Sequence, residues 1–350
     1  MLMGIILKVK LPGRQSGGRM EIDMEKNTPV LLTSLQETVR LFDRKHMNTL
    51  QIRRYPTGMH RLDRALGGGI SAGMYILGAI PNLGKSTFAL QIAQNLSASG
   101  IPVLFFSMEM TKNRIASKAI SRQLFKNGSP VRYSSDMLLN QSTFIDPEAW
   151  AQIDRARQEV QEETKNLYVI ERTEHIGSGE DIVRICEQYM DELGPDKKPV
   201  VMVDYLQILS GRKDRDFVSD RAIVDNNIRV LTMLATRKKL PVVVISAFNR
   251  SNYMSEVSME AFKESGAIEY SADVILGMQL GRVGSDGFDL NAEKARNPRD
   301  IQIVILKQRY GKSGNTLSFR YYPANDYFEE AEGNTGTDDF FPELPGRFLD

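Results

Sequence analysis

The chain has 350 residues, with 45 Lys plus Arg against 44 Asp plus Glu and a formal net charge of +1. That balance excludes a polybasic nucleic-acid coat, and 41% hydrophobic with 25% charged residues excludes a disordered or fibrous chain. A single cysteine, Cys186, excludes an internal disulfide; with His46, His60 and His175 far apart, it argues for a reducing, cytoplasmic setting and against structural zinc. No apolar run approaches the ~20 residues that span a bilayer, so no membrane partner is expected. The opening MLMGIIL lacks the basic segment and cleavage ending of a signal peptide, and Met20 and Met24 are alternative starts.

In chain order, residues 1–32, with KLPGRQSGGR in their middle, read as a flexible leader to which no fold is assigned. Residues 33–54 read as a linker helix, because Ser34 and Glu37 form a capping box ahead of Leu35, Val39, Leu41 and Phe42. Its apolar stripe packs either on its own domain or on a neighbouring subunit. Residues 55–331 then alternate short apolar runs with longer helical patterns. The runs are Met74 to Ala79, Ile101 to Ser107, Leu167 to Glu171, Val200 to Asp204 and Val242 to Ser246. Near-continuous Val, Ile, Leu and Phe predicts strands covered on both faces, hence a parallel sheet. Helices are predicted over Ser86 to Ser97, Lys112 to Lys126, Pro147 to Lys165, Glu180 to Leu193 and Asp220 to Lys239, each long enough for a right-handed crossover. Two late runs, Ile301 to Lys307 and Thr316 to Tyr322, read as an antiparallel extension, and residues 332–350 as a frayed tail.

The strongest chemical signal is Ala79-Ile80-Pro81-Asn82-Leu83-Gly84-Lys85-Ser86-Thr87, set between a predicted strand and helix. Backbone N–H groups of such a loop wrap phosphate, and the helix N-terminus adds positive potential. Lys85 would reach the terminal phosphates and Ser86 would hold Mg²⁺. The leading position is Ala79, with Gly78 one residue earlier, so the strict motif is relaxed. Asp204, at the carboxyl end of the Val200 run, faces the crevice where ligands of such sheets bind and is the natural metal partner of Ser86. Glu109 ends the Phe105-Phe106-Ser107-Met108 run, where it orients the attacking water of ATP hydrolysis or merely caps the next helix.

Two further groups are weaker alone. Lys307 and Arg309, in LKQRYG, share one face of a late strand. They are either a solvated basic edge or, in a ring, cations facing the neighbour's nucleotide, with Arg309 as an arginine finger worth about 10³ to 10⁵ in rate. Arg212 and Lys213 after the Asp204 strand, and Arg250, Lys263, Glu264 and Gly266 after the Val242 strand, are either polar surface loops or DNA-phosphate contacts in a channel.

With these residues in hand, the chain resembles, over about residues 55 to 330, the C-terminal ATPase domain of the DnaB-type replicative helicases, within the RecA-like group. The blocks that carry the likeness are the phosphate loop, SMEM (Ser107 to Met110), VDYLQIL (Val203 to Leu209), FNRSNY (Phe248 to Tyr253), FKESGAIEYSADVIL (Phe262 to Leu276) and LKQRYG (Leu306 to Gly311). Thr57 to Ile70 is also similar to RecA-like ATPases of the RadA and KaiC kind. The resemblance implies a RecA-like α/β fold with a mostly parallel sheet, helices on its faces and an antiparallel C-terminal extension. It implies a ring, taken as a hexamer, with ATP and Mg²⁺ between subunits and single-stranded DNA through the centre, unwinding duplex during replication. By that likeness Lys85 and Ser86 bind phosphates and metal, Asp204 supports the metal, Glu109 activates water, Lys307 and Arg309 act on the adjacent subunit's ATP, and Lys263, Glu264 and Gly266 hold DNA. A primase or a helicase loader joins the implied partners.

Two departures matter. The family has a Gln after Ser246 where this chain has Ala247, which cannot make the side-chain hydrogen bond to a phosphate; either weaker coupling between nucleotide and DNA or a substitute such as Asn249 is expected. The N-terminal helical domain that binds primase is missing, as suits a helicase subunit of a phage or mobile element or a piece of a primase-helicase. An ATP-switched DNA-binding ring or loader without unwinding, and a RadA-like recombination ATPase, are the alternatives. Near-neutral charge becomes an expectation of distribution, with Arg212, Lys213, Arg250 and Lys263 on one face.

Overall fold

The computed structural model describes residues 5–7, 30–32, 35–40, 52–129, 133–140, 147–194, 197–211, 219–262 and 265–331. The chain divides into two compact units between Ile52 and Arg53. In the first, β1 (Ile5–Leu7) pairs antiparallel with β2 (Val30–Leu32), so the leader read without a fold contributes a short strand pair, and α1 spans Leu35–Arg40. Leu35 and Val39 of the predicted apolar stripe are exposed; Ser34, Leu41 and Phe42 lie outside the described residues.

The second unit opens with the small antiparallel pair β3 (Arg54–Tyr55) and β4 (Ile70–Ser71), around α2 (His60–Ala65). It then builds one nine-stranded sheet. Its parallel part comprises β5 (Gly73–Ala79), β6 (Val103–Ser107), β7 (Leu167–Glu171), β8 (Val200–Asp204), β9 (Pro241–Ala247) and β10 (Val274–Leu280). β11 (Arg299–Gln308), β12 (Thr316–Tyr322) and β13 (Tyr327–Glu330) extend it antiparallel beside β10, giving the order β13-β12-β11-β10-β5-β9-β8-β6-β7. Every residue of β5, β6 and β8 is buried, as continuous apolar runs in a doubly covered sheet require.

The major helices are α3 (Lys85–Ala98), α4 (Lys112–Lys126), α6 (Pro147–Glu163), α7 (Gly179–Leu193) and α8 (Asp220–Lys238); short ones are α5 (Ser135–Asn140), α9 (Ser265–Ser271) and α10 (Leu290–Ala295). α7 starts on a capping box, Ser178 with Asp181, and α8 on Ser219. α3 is buried on most sides because the C-terminal strands cover it: Phe88 meets Phe319 and Phe328 edge-on, at 5.4 and 5.1 Å between centroids. Gln91 fixes the same strands by exchanging two 2.8 Å hydrogen bonds with the backbone of Phe328.

Candidate active site

Parallel pairing sets β5, β8, β9 and β6 in register, so their carboxyl ends and following loops share one edge of the sheet. At that edge β5 hands the chain to α3 through Ile80–Gly84. Asn82 (φ 65°) and Gly84 (φ 93°) are left-handed, which turns the chain tightly enough to aim N–H groups inward. A Cβ on Gly84 would lie 2.9 Å from the rings of Tyr321 and Phe328, so glycine is also required for room. Pro81 and Asn82 are exposed, whereas Ala79 and Leu83 are buried and offer the site only backbone.

Lys85 folds back onto its own loop, donating to the carbonyls of Ala79 (3.2 Å) and Ile80 (3.1 Å). Burial pushes its ammonium down to about 8, and Asp204 and Glu109 pull it back up. Asp204 is 1% exposed and neither carboxylate oxygen has a hydrogen-bond partner. Burial raises it to about 6; the facing Ser86 hydroxyl opposes the rise without forming a well-aligned hydrogen bond, and Glu109 adds to it. A buried carboxylate left bare beside a serine hydroxyl is the donor set of a hard divalent cation. Among the described residues no group of three or more His, Cys, Asp and Glu could hold a metal alone, so a cation here would complete its shell with phosphate and water.

β6 and β8 end flush, Ser107 opposite Asp204, and the Met108 N–H donates to the Asp204 carbonyl at 2.7 Å. The Ser107 hydroxyl then closes a turn on the Met110 carbonyl (2.7 Å), which holds Glu109 exposed beside Lys85 and Asp204. Glu109 is not the cap of α4: Thr111 caps it, accepting from the Arg114 N–H. Thr87 is turned the other way, its hydroxyl donating to buried Asp326 (3.3 Å), which also takes the ammonium of Lys118.

The strand after the site links to the loops beyond it. Gln207 donates to the Ser246 hydroxyl (2.9 Å) and accepts from the Ala247 N–H (3.2 Å). Phe248 bridges Phe262, and Asn249 binds the Ala261 carbonyl through its N–H (2.7 Å) and the Phe262 carbonyl through its amide (3.2 Å). Asn249 thus reaches the backbone immediately before Lys263. Lys263 and Glu264, like Arg212 and Lys213, lie outside the described residues; Arg250 is exposed after β9, and Gly266 sits in α9 with open space beside it.

Lys307 and Arg309 stand apart from this cluster. β11 runs antiparallel, so its end pairs with the start of β10, at the opposite edge of the sheet from the phosphate loop and roughly 13 Å away along the strand direction. There Arg309 pairs with Asp273 at 2.8 Å and Lys307 binds the Glu269 carbonyl. The start of β11 instead reaches the loop: Arg299 donates to the Asn82 carbonyl at 2.7 Å. Sequence reasoning missed Arg299, Lys118 and Asp326, which carry no local motif and lie far along the chain from their partners, and Gln207, which stood in plain view within VDYLQIL.

The sheet order, the loop after its central strand β5 and the bare acids at that edge define a RecA-like ATPase fold. A solved ATPase domain superimposes with a TM-score of 0.70 at 22% identity, covering 85% of this chain and 99% of that one. A DnaB-like replicative helicase, solved with its interactions with primase, gives 0.69 at 24%, over 87% of this chain and 68% of that one. The family model of the DnaB-like helicase C terminal domain matches residues 55–330, and the chain belongs to that family. The replicative DNA helicase DnaB of Geobacillus stearothermophilus is 27% identical over 302 residues, 84% of this chain. The match spans 61% of that curated relative's length.

Proposed function

We propose that the chain is an ATP- and Mg²⁺-dependent DNA helicase motor that assembles as a hexameric ring around single-stranded DNA in the cytoplasm. The observation that carries the reading is the bare, buried Asp204 facing Ser86 beside Lys85 and Glu109, at the edge where the phosphate loop meets α3. In this site the loop N–H groups and Lys85 bind the polyphosphate, Lys85 exchanging its two carbonyl partners for phosphate oxygens. Ser86 and Asp204 hold Mg²⁺, which when bound neutralises developing charge on the phosphates. Glu109, exposed and outside the helix cap, orients the water and takes its proton. Lys307 and Arg309, too remote to serve their own loop, act on the adjacent subunit's nucleotide. Arg212, Lys213, Arg250 and Lys263 contact DNA phosphates through their side chains and Glu264 and Gly266 through backbone N–H groups, and Asn249 connects the end of β9 to that loop backbone. A primase or helicase loader would be a further partner.

Fork unwinding with ATP tests the reading. Wild-type chain should displace a strand, and Lys85→Ala should abolish both unwinding and hydrolysis; full ATPase in that variant refutes the site assignment. Ala247, which presents no side-chain donor to a phosphate, favours a second reading, an ATP-switched DNA-binding ring. Nucleotide-dependent assembly on DNA without strand displacement would select it.

A further inference from the structure

α10 and the start of β11 bring more positive charge to the phosphate loop than the site described above uses. Arg299 holds the Asn82 carbonyl and lies over Tyr321, 5.7 Å from the ring centroid. Five residues earlier Lys294 extends over Tyr253, its Nζ 6.0 Å from the ring centroid. Tyr253 in turn lines one small cavity with Ile80 and Leu83 of the loop. Among the described residues Lys294 makes no hydrogen bond or ion pair: its sequence neighbour Glu293 is taken by Arg296 at 3.1 Å and Arg282 at 3.7 Å. Burial and Arg299 lower the Lys294 ammonium. Three cations therefore surround one loop, where only Asp204 and Glu109 offset Lys85, and Lys294 has nothing but an aromatic face. A ring face binds an ammonium more weakly than a phosphate oxygen does, so the contact is readily exchanged.

We propose that Lys294 is a second ammonium, supplied in cis, for the terminal phosphate of a nucleoside triphosphate on the loop, leaving the Tyr253 ring for that phosphate on binding. The proposal rests on the assignment of the loop as the nucleotide site. Equilibrium binding of the full chain, with Mg²⁺, to a non-hydrolysable ATP analogue and to ADP tests it. Lys294→Met should weaken the triphosphate analogue about tenfold or more while changing ADP less than about threefold, and Lys294→Arg should retain the wild-type ratio. Lys294 is partly exposed at a helix end, so an unchanged urea midpoint will confirm that the variant is folded. Wild-type affinity of Lys294→Met for the triphosphate analogue, or an equal loss for ADP, overturns the proposal. Failure of the underlying assignment looks different: the wild type would bind neither nucleotide, or Lys85→Ala would bind both as the wild type does.

Discussion

Replacing Asp204 with Asn removes a charge that the fold holds at a cost. Its carboxyl group, 1% exposed and without hydrogen-bond partners, is raised from 3.8 to about 6. At about 1.36 kcal/mol per pH unit, that rise amounts to about 3 kcal/mol. The folded chain binds this proton more tightly than the unfolded chain, so the associated stability is present below the unfolded value and is lost as pH rises through about 6. Lys85, lowered to about 8, titrates above that window. Urea unfolding without nucleotide or divalent cation should therefore show Asp204→Asn gaining on the wild type by about 1.3 kcal/mol between about pH 5 and about pH 7. Hydrolysis should be lost over the same range. A stability difference that does not change with pH would refute the reasoning, because an isosteric packing effect has no reason to titrate.

Three other outcomes are expected. A Cβ on Gly78 would lie 2.2 Å from Phe262 and 2.4 Å from Phe248, so Gly78→Ala should destabilise by about 1–3 kcal/mol in urea, with Phe262→Leu recovering part of the loss; additive losses would count against the clash. Asp326→Asn leaves Lys118 and the wholly buried Arg122 with less negative charge and should cost about 3 kcal/mol, reduced when Lys118→Met is added, as thermal unfolding of both variants will show. Arg309→Ala should slow hydrolysis about a thousandfold or more yet be partly rescued in mixed assemblies with Lys85→Ala chains; no rescue at any ratio would count against its action on a neighbouring copy.

The parallel core was legible because β5, β6 and β8 are buried on both faces and need continuous apolar residues. β10 was not read as a strand: Gly277 and Gln279 interrupt VILGMQL, and their reasons are tertiary. A Cβ on Gly277 would lie 2.5 Å from Val257, and Gln279 accepts from the Val257 N–H at 2.7 Å. The grouping of Lys85, Ser86, Asp204 and Glu109 was legible because Lys85 and Ser86 open α3, Asp204 closes β8 and Glu109 follows the end of β6 by two residues. Arg299 and Asp326 were not, since the hydrogen bonds that bring them to Asn82 and Thr87 span 217 and 239 residues. The Thr87 hydroxyl, grouped with the phosphate ligands on sequence, is drawn instead to Asp326.

The placement of Arg309 and the phosphate loop at opposite edges of one sheet has an arithmetic consequence. If each composite site takes its arginine from the next copy, the contact is heterologous: every copy is a donor on one side and an acceptor on the other. An open row then has one complete site fewer than it has copies, with an idle arginine at one end and an idle loop at the other. Closure alone makes sites and copies equal in number. Turnover per copy should therefore rise as short rows lengthen and reach its ceiling only when the ends meet.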